Sequence, residues 1–263
     1  MKITILGCHS ATPRSSFHTT SQLIELKNNL FLLDCGEGTQ VRLREEKINF
    51  SRIKNILISH LHGDHFYGLI GLINTFKLLG RKSDLNIYGP KGIKEIITLQ
   101  LKLSNSWTNF KLFFHVLKSE EPELIFEDSS VQIETIPLKH RVYTNGFLFR
   151  EKKNPYLKLN SKKPVSYAFC SDTSYYPQII KQIKNVDLLY HESTFLNVHK
   201  DLAQKTLHST AEQAAKIASL AGVYKLLLGH FSTRYKNKNI FLDQAKTQFE
   251  NVALAVQGET YEL

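Results

Sequence analysis

The sequence predicts an α/β protein, with β-sheets covered by helices. Three observations predict it. The first half holds short apolar runs of strand length separated by turn residues. The second half alternates strand and helix patterns. Five apolar runs end in a histidine or an aspartate, and sites in α/β sheets gather at the carboxyl ends of strands.

In chain order, residues 3–6 read as a first strand. SQLIEL (21–26) and NLFLLD (29–34), parted by Lys27 and Asn28, read as a hairpin. KNILIS (54–59) is a buried strand. FYGLIGLINTFKLL (66–79) has helical spacing, weakened by Gly68 and Gly71. LNIYG (85–89) is a strand, and Pro90 with Gly92 opens a helix to about Leu103. FKLFFHVL (110–117), ELIFE (123–127) and VQIETIPL (131–138) are strands. YAFC (167–170) and DLLY (187–190) follow. Ser209 with Glu212 reads as a capping box for TAEQAAKIASLA, and Gly222 suits its C-terminal cap. KLLLG (225–229) is a strand, a helix lies within IFLDQAKTQFENV, and ALAV (253–256) closes the chain as a strand. The whole is expected as one domain, residues 1–263. The lysine-rich stretch EKKNPYLKLNSKKP (151–164) is the one good loop candidate.

Composition bounds the function. The chain has 263 residues, 42% apolar and 22% charged, ordinary for a globular protein with a sizeable core. Lys and Arg outnumber Asp and Glu by 34 to 24, a formal charge of +10. Such an excess suits a polyanionic partner, most simply a nucleic acid, against a plain solubilising surface. Cys8, Cys35 and Cys170 are odd in number, far apart and form no CxxC pair, which argues against a disulfide framework and for a reducing cytoplasm. The N-terminus reads as a strand rather than a signal peptide, and no run of about 18 apolar residues suggests a membrane span.

The chemistry concentrates in SHLHGDH (59–65). In an extended loop His60 and His62 face one point, while the neighbours Asp64 and His65 point elsewhere and suit a second. Imidazole and carboxylate are common zinc donors, so this density after a buried strand reads as a metal site rather than scattered surface histidines. The other strand ends carry His140, Asp172, His191 and His230. His60, His62, Asp64, His65, His140, Asp172 and His230 make seven donors. A catalytic zinc takes three protein ligands and keeps one position open. Seven donors therefore suit two ions sharing a carboxylate, and paired metals suit phosphodiester hydrolysis.

H-x-H-x-D-H after a strand resembles the metallo-β-lactamase superfamily. LLDCGEGTQ (32–40), CSDT (170–173), HESTF (191–195), HSTAEQAA (208–215) and GHFSTRY (229–235) resemble, more narrowly, the ribonuclease Z family, from Leu6 to about Tyr235. The resemblance implies a four-layer αβ/βα sandwich of two mixed sheets flanked by helices. It implies two zinc ions per subunit, a homodimer, and removal of the 3′ trailer from precursor tRNA. Manganese and cobalt share such donors. It places His60, His62 and His140 on one ion, Asp64, His65 and His230 on the other, and Asp172 between them. It makes Asp64 the general base, and Glu192 with His208 the pair that protonates the leaving 3′ oxygen, against a purely supporting role. Ser232 and Arg234 would hold a substrate phosphate, against a structural ion pair for the arginine. His191 finds no ligand slot and would support the ligands.

Two departures stand out. The family carries a long tRNA-gripping arm between the strands of His140 and Asp172. Here only the 31 residues 141–171 separate them, so the arm is short or absent around 151–164. Lys152, Lys153, Lys158, Lys162 and Lys163 remain there. In SATPRSSFHTTS (10–21), where the family has a basic loop bearing on CCA-ended precursors, only Arg14 and His18 are basic. The competing readings are a hydrolase of the same fold acting on small phosphodiesters or esters, and a non-catalytic RNA binder. The full donor set argues against the second.

Overall fold

The computed structural model describes residues 1–12, 14–152 and 163–263. The chain forms two compact units, one of residues 2–118 and 256–262, the other of residues 119–255 with the terminal residues 1 and 263.

The first unit contains β1 (Lys2–Gly7), β2 (Ser21–Leu26), β3 (Asn29–Leu33), β4 (Ile53–Leu57), β5 (Leu85–Pro90) and β6 (Leu112–Leu117). Its helices are α1 (Thr39–Glu45), the single turn α2 (Gly63–Phe66), α3 (Gly68–Leu78) and α4 (Ile93–Leu103). The second unit contains β7 (Leu124–Glu127), β8 (Val131–Pro137), β9 (Asn145–Glu151), β10 (Ser166–Cys170), β11 (Leu188–Glu192), β12 (Lys225–Gly229) and β13 (Val252–Leu254). Its helices are α5 (Lys200–Thr206), α6 (Ala211–Ala221) and α7 (Asn239–Lys246), and β14 (Thr260–Glu262) returns to the first unit.

Each unit holds a seven-stranded mixed sheet, ordered β14-β1-β2-β3-β4-β5-β6 in the first and β13-β12-β11-β10-β9-β8-β7 in the second. In both, one side is antiparallel and the other parallel: β3 to β6 in the first, β10 to β13 in the second. Two mixed sheets with flanking helices match the predicted fold class. The central parallel strands are predominantly apolar because both faces are covered. All five residues of β10 and of β11 are buried, whereas the edge strands β6 and β7 are largely exposed. In the first unit α3 buries Leu69, Leu72, Ile73 and Phe76, and α4 buries Ile93, Ile97 and Leu101, both at helical spacing. They join Ile56, Ile58 and Ile87 in one core cluster, each such side chain contributing about 1.5–3 kcal/mol.

The structure corrects several sequence expectations. The helix read over 66–79 is present as α3 at Gly68–Leu78, but Asp64 and His65 lie in the turn α2 rather than in an extended loop. The capping box of α6 is Thr210 with Gln213, one residue later than expected. Ser209 is otherwise engaged, its Oγ donating to Thr173 O at 2.7 Å, and Glu212 accepts from Asn197 Nδ2. The last strand predicted at 253–256 ends at Leu254, and α1, α5, β9 and β14 have no counterpart in the sequence reading.

Gly68, which weakened the helix pattern, has a packing reason. A Cβ there would lie 2.0 Å from Gly36 O and 2.9 Å from Cys35 O, so α3 starts hard against the backbone that follows β3. Gly68→Ala is expected to destabilise the protein by about 1–3 kcal/mol, read from its urea midpoint.

Candidate metal centre

Both units gather polar groups at the carboxyl ends of their parallel strands. Three of these residues, Asp34 (φ 54°), Asp172 (φ 59°) and His230 (φ 57°), have left-handed backbone, as does Leu207 (φ 56°) beside His208. Non-glycine residues there carry strain of about 1–2 kcal/mol each, and such strain clusters at functional sites.

In the first unit Asp34 follows β3 and Ser59 follows β4. The fully buried Asp34 carboxylate accepts Ser59 N–H at Oδ1 (2.7 Å) and Ser59 Oγ–H at Oδ2 (2.8 Å), and His65 Nδ1 lies 2.7 Å from Oδ2. His60 Nδ1 lies 3.0 Å from Ser59 Oγ. His60 Nε2 and His62 Nδ1 are 3.0 Å apart, and His65 Nε2 is 3.5 Å from Asp64 Oδ2. His60, Asp64 and His65 are buried.

In the second unit Asp172 stands between two imidazoles. His230 Nε2 is 3.1 Å from its Oδ1, and His140 Nε2 is 3.7 Å from its Oδ2. His140 donates Nδ1–H to Leu207 O at 2.9 Å. Burial holds the His140 imidazole below its ordinary range, although Asp172 and the Leu207 carbonyl oppose this. That favours the neutral form, the form that binds a metal.

Glu192, at the end of β11, is fully buried and accepts four hydrogen bonds. Thr173 N–H (2.9 Å) and His208 Nδ1 (2.7 Å) reach Oε1, while Thr194 N–H (3.0 Å) and Thr194 Oγ1 (2.6 Å) reach Oε2. Burial alone would raise its pKa. The neighbouring His208, through charge and hydrogen bond, and then His230 outweigh burial and hold the carboxyl at about 2. With a backbone N–H on each oxygen, Glu192 is fixed as an acceptor against His208 Nδ1.

These donors fit a metal. Two nitrogens on one tetrahedral zinc, each at about 2.0–2.1 Å, lie about 3.3 Å apart. The donor pairs within each unit are separated by 3.0 to 3.7 Å. His60, His65, His140 and His230 each turn Nδ1 to a protein group, which directs Nε2 to the ligand position.

The remaining predicted residues separate. His191 lies within β11, fully buried, its Nδ1 donating to Glu192 O at 2.8 Å. Strand alternation puts it on the face opposite Glu192, and no hydrogen bond to a donor residue is found for it among the described residues. Ser232 and Arg234 share a turn in which Arg234 N–H donates to Ser232 Oγ at 3.3 Å. Arg234 is exposed and makes no ion pair among the described residues. Tyr235 OH ties this turn back to Leu196 N (3.1 Å) and His199 Nδ1 (2.7 Å). Lys152 is bound to Glu127 Oε1 (2.8 Å) and Asp128 O (2.9 Å). Lys153, Lys158 and Lys162 lie outside the described residues. Sequence reasoning missed Asp34, Ser59 and Thr194. Asp34 follows the apolar NLFLL and obeys the same strand-end rule that found the others.

Comparison with known proteins decides the family. A Ribonuclease Z from Bacteroides thetaiotaomicron is 42% identical over 289 aligned residues, covering 95% of this chain and 92% of that protein. The chain belongs to the ribonuclease Z family. A Ribonuclease Z from Azobacteroides pseudotrichonymphae is also 42% identical, over 97% of this chain and 96% of that protein. Residues 1–259 match the model of a second family, described as Anti-Pycsar protein Apyc1, and the chain falls within that family too. The solved structure of human tRNase Z, short form, superposes with a TM-score of 0.84 at 30% identity, covering 100% of this chain and 99% of that one. As a ribonuclease Z family member the chain is a metal-dependent hydrolase, an endoribonuclease of the metallo-β-lactamase fold. No helix among the described residues is long and apolar enough to cross a membrane.

Proposed function

We propose that this ribonuclease Z family member removes the 3′ trailer from precursor tRNA, with both units acting as one catalytic domain that holds two zinc ions. His60, His62 and His140 serve as ligands of one ion, Asp64, His65 and His230 of the other, and Asp172 bridges. The observation that carries this is the Asp172 carboxylate, which turns one oxygen to His230 and the other to His140. The ions, when bound, supply an activated water and a clamp on the phosphoryl oxygens. Asp64 acts as the general base. His208, held by Glu192, protonates the leaving 3′ oxygen of the tRNA. Ser232 and the exposed Arg234 hold a substrate phosphate, a task suited to a guanidinium.

The net charge of +10 supports a polyanionic substrate. Exposed Leu78, Leu99, Leu103 and Trp107 on and beside α3 and α4 support a homodimer. Three buried free cysteines support a reducing cytoplasm.

A second reading, hydrolysis of small phosphodiesters, is favoured by the short span between His140 and Asp172. Paired assays separate the two. The zinc-loaded protein is expected to cut a 3′-extended tRNA at enzyme concentrations where bis(p-nitrophenyl) phosphate turns over slowly, with both activities lost to a chelator. Rapid turnover of the small diester beside intact tRNA would replace the first reading with the second.

A further inference from the structure

We propose that Thr194 and Ser59 are positioning residues for the metal centre, each giving its hydroxyl proton to a buried carboxylate and thereby fixing a ligand imidazole with hydrogen on Nδ1. This rests on the metal-centre reading above.

A hydroxyl has one hydrogen to donate. Thr194 Oγ1 has three neighbours: Glu192 Oε2 at 2.6 Å, His230 Nδ1 at 2.8 Å and His208 Nδ1 at 3.2 Å. Both Glu192 oxygens already accept a backbone N–H, from Thr173 and from Thr194, which marks each as an acceptor. The Thr194 proton therefore goes to Oε2. His230 must then donate Nδ1–H to Thr194 Oγ1, and its lone pair sits on Nε2. That is the nitrogen beside Asp172 Oδ1.

Ser59 repeats the device in the other unit. Its N–H and Oγ–H go to the two oxygens of Asp34, so its lone pair faces His60 Nδ1 at 3.0 Å. His60 then holds its lone pair on Nε2, beside His62 Nδ1. Each hydroxyl lies two residues past a central parallel strand, Ser59 after β4 and Thr194 after β11. His65 and His140 have no need of it, because Asp34 and Leu207 O accept their Nδ1 hydrogens directly. The hydroxyl passes on the carboxylate's orienting effect without placing a second full charge against the imidazole.

The test measures metal affinity by competition with a chromophoric chelator, using Thr194→Val, Thr194→Ser, Ser59→Ala and the unaltered protein. ¹⁵N-labelled samples report the Nδ1–H resonances. Thr194→Val keeps the side-chain shape and is expected to weaken one of the two ions by about 10–100-fold, with loss of the His230 Nδ1–H signal. Thr194→Ser is expected to retain both ions and the signal. Ser59→Ala is expected to weaken the other ion to a similar degree, and it stands as an independent test should Thr194→Val fail to fold. Two ions bound at unaltered affinity in both hydroxyl-free variants would overturn the inference and leave the metal-centre reading intact. No metal bound by the unaltered protein would overturn both.

Discussion

Asp172→Ala is expected to lower precursor cleavage by about 10⁴-fold or more, because losing the activating ions returns the attacking water to its ordinary, far weaker acidity. Metal content is expected to fall from two ions per chain to one or none. The reason is local to one carboxylate. Its two oxygens face two different imidazoles, at 3.1 and 3.7 Å, so under the proposed assignment one substitution would remove a donor from both ions. Asp172→Asn separates charge from shape: it keeps the volume, retains one acceptor oxygen, and is expected to bind metal more weakly without unfolding. Elemental analysis of both variants beside a cleavage assay checks the prediction. Two ions retained in Asp172→Ala would show that the carboxylate does not bridge.

His208→Ala is expected to lower cleavage by about 10²–10⁴-fold, the usual contribution of a general acid, with both ions still bound. His208 is anchored by a charged hydrogen bond to Glu192, and its Nε2 lies 4.0 Å from Asp172 Oδ2. A role confined to supporting the ligands would instead lose metal in step with activity, and excess zinc would restore both. Glu192→Gln bears on stability. Four donors point at the Glu192 oxygens, and a glutamine amide presents one acceptor oxygen and one donor nitrogen. Donors facing the amide nitrogen are left unsatisfied at a cost of about 1–3 kcal/mol each. Glu192→Gln is therefore expected to lower the melting temperature, and His208→Ala, which takes the charge partner from a buried carboxylate, is expected to lower it as well.

How far the sequence could be read follows from the same physics. The parallel strands β4, β10, β11 and β12 were legible because strands buried on both faces are almost uniformly apolar. α1 and α5 were not, being short and largely polar, with their stability supplied by packing. β9 begins with Asn145 and Gly146, a pair that reads as a turn. Gly146 is there because a Cβ would lie 2.2 Å from Phe169 O on the neighbouring strand. β14 has only three residues and is defined by pairing with β1 at the other end of the chain. Among the site residues, histidines and aspartates at strand ends announced themselves by type and place. Ser59 and Thr194 could not, since serine and threonine are common and their roles emerge only once the carboxylate and imidazole neighbours are known.

The most direct measurement maps the product ends of a 3′-extended precursor tRNA, labelled at either end, after incubation with the zinc-loaded protein. The expected result is one cut at the trailer junction, leaving a 3′-hydroxyl on the tRNA and a 5′-phosphate on the trailer, and abolished by chelation. An intact precursor under conditions where both ions are bound, or a cut whose products carry a 3′-phosphate or cyclic phosphate, would contradict a two-metal ribonuclease Z mechanism for this chain.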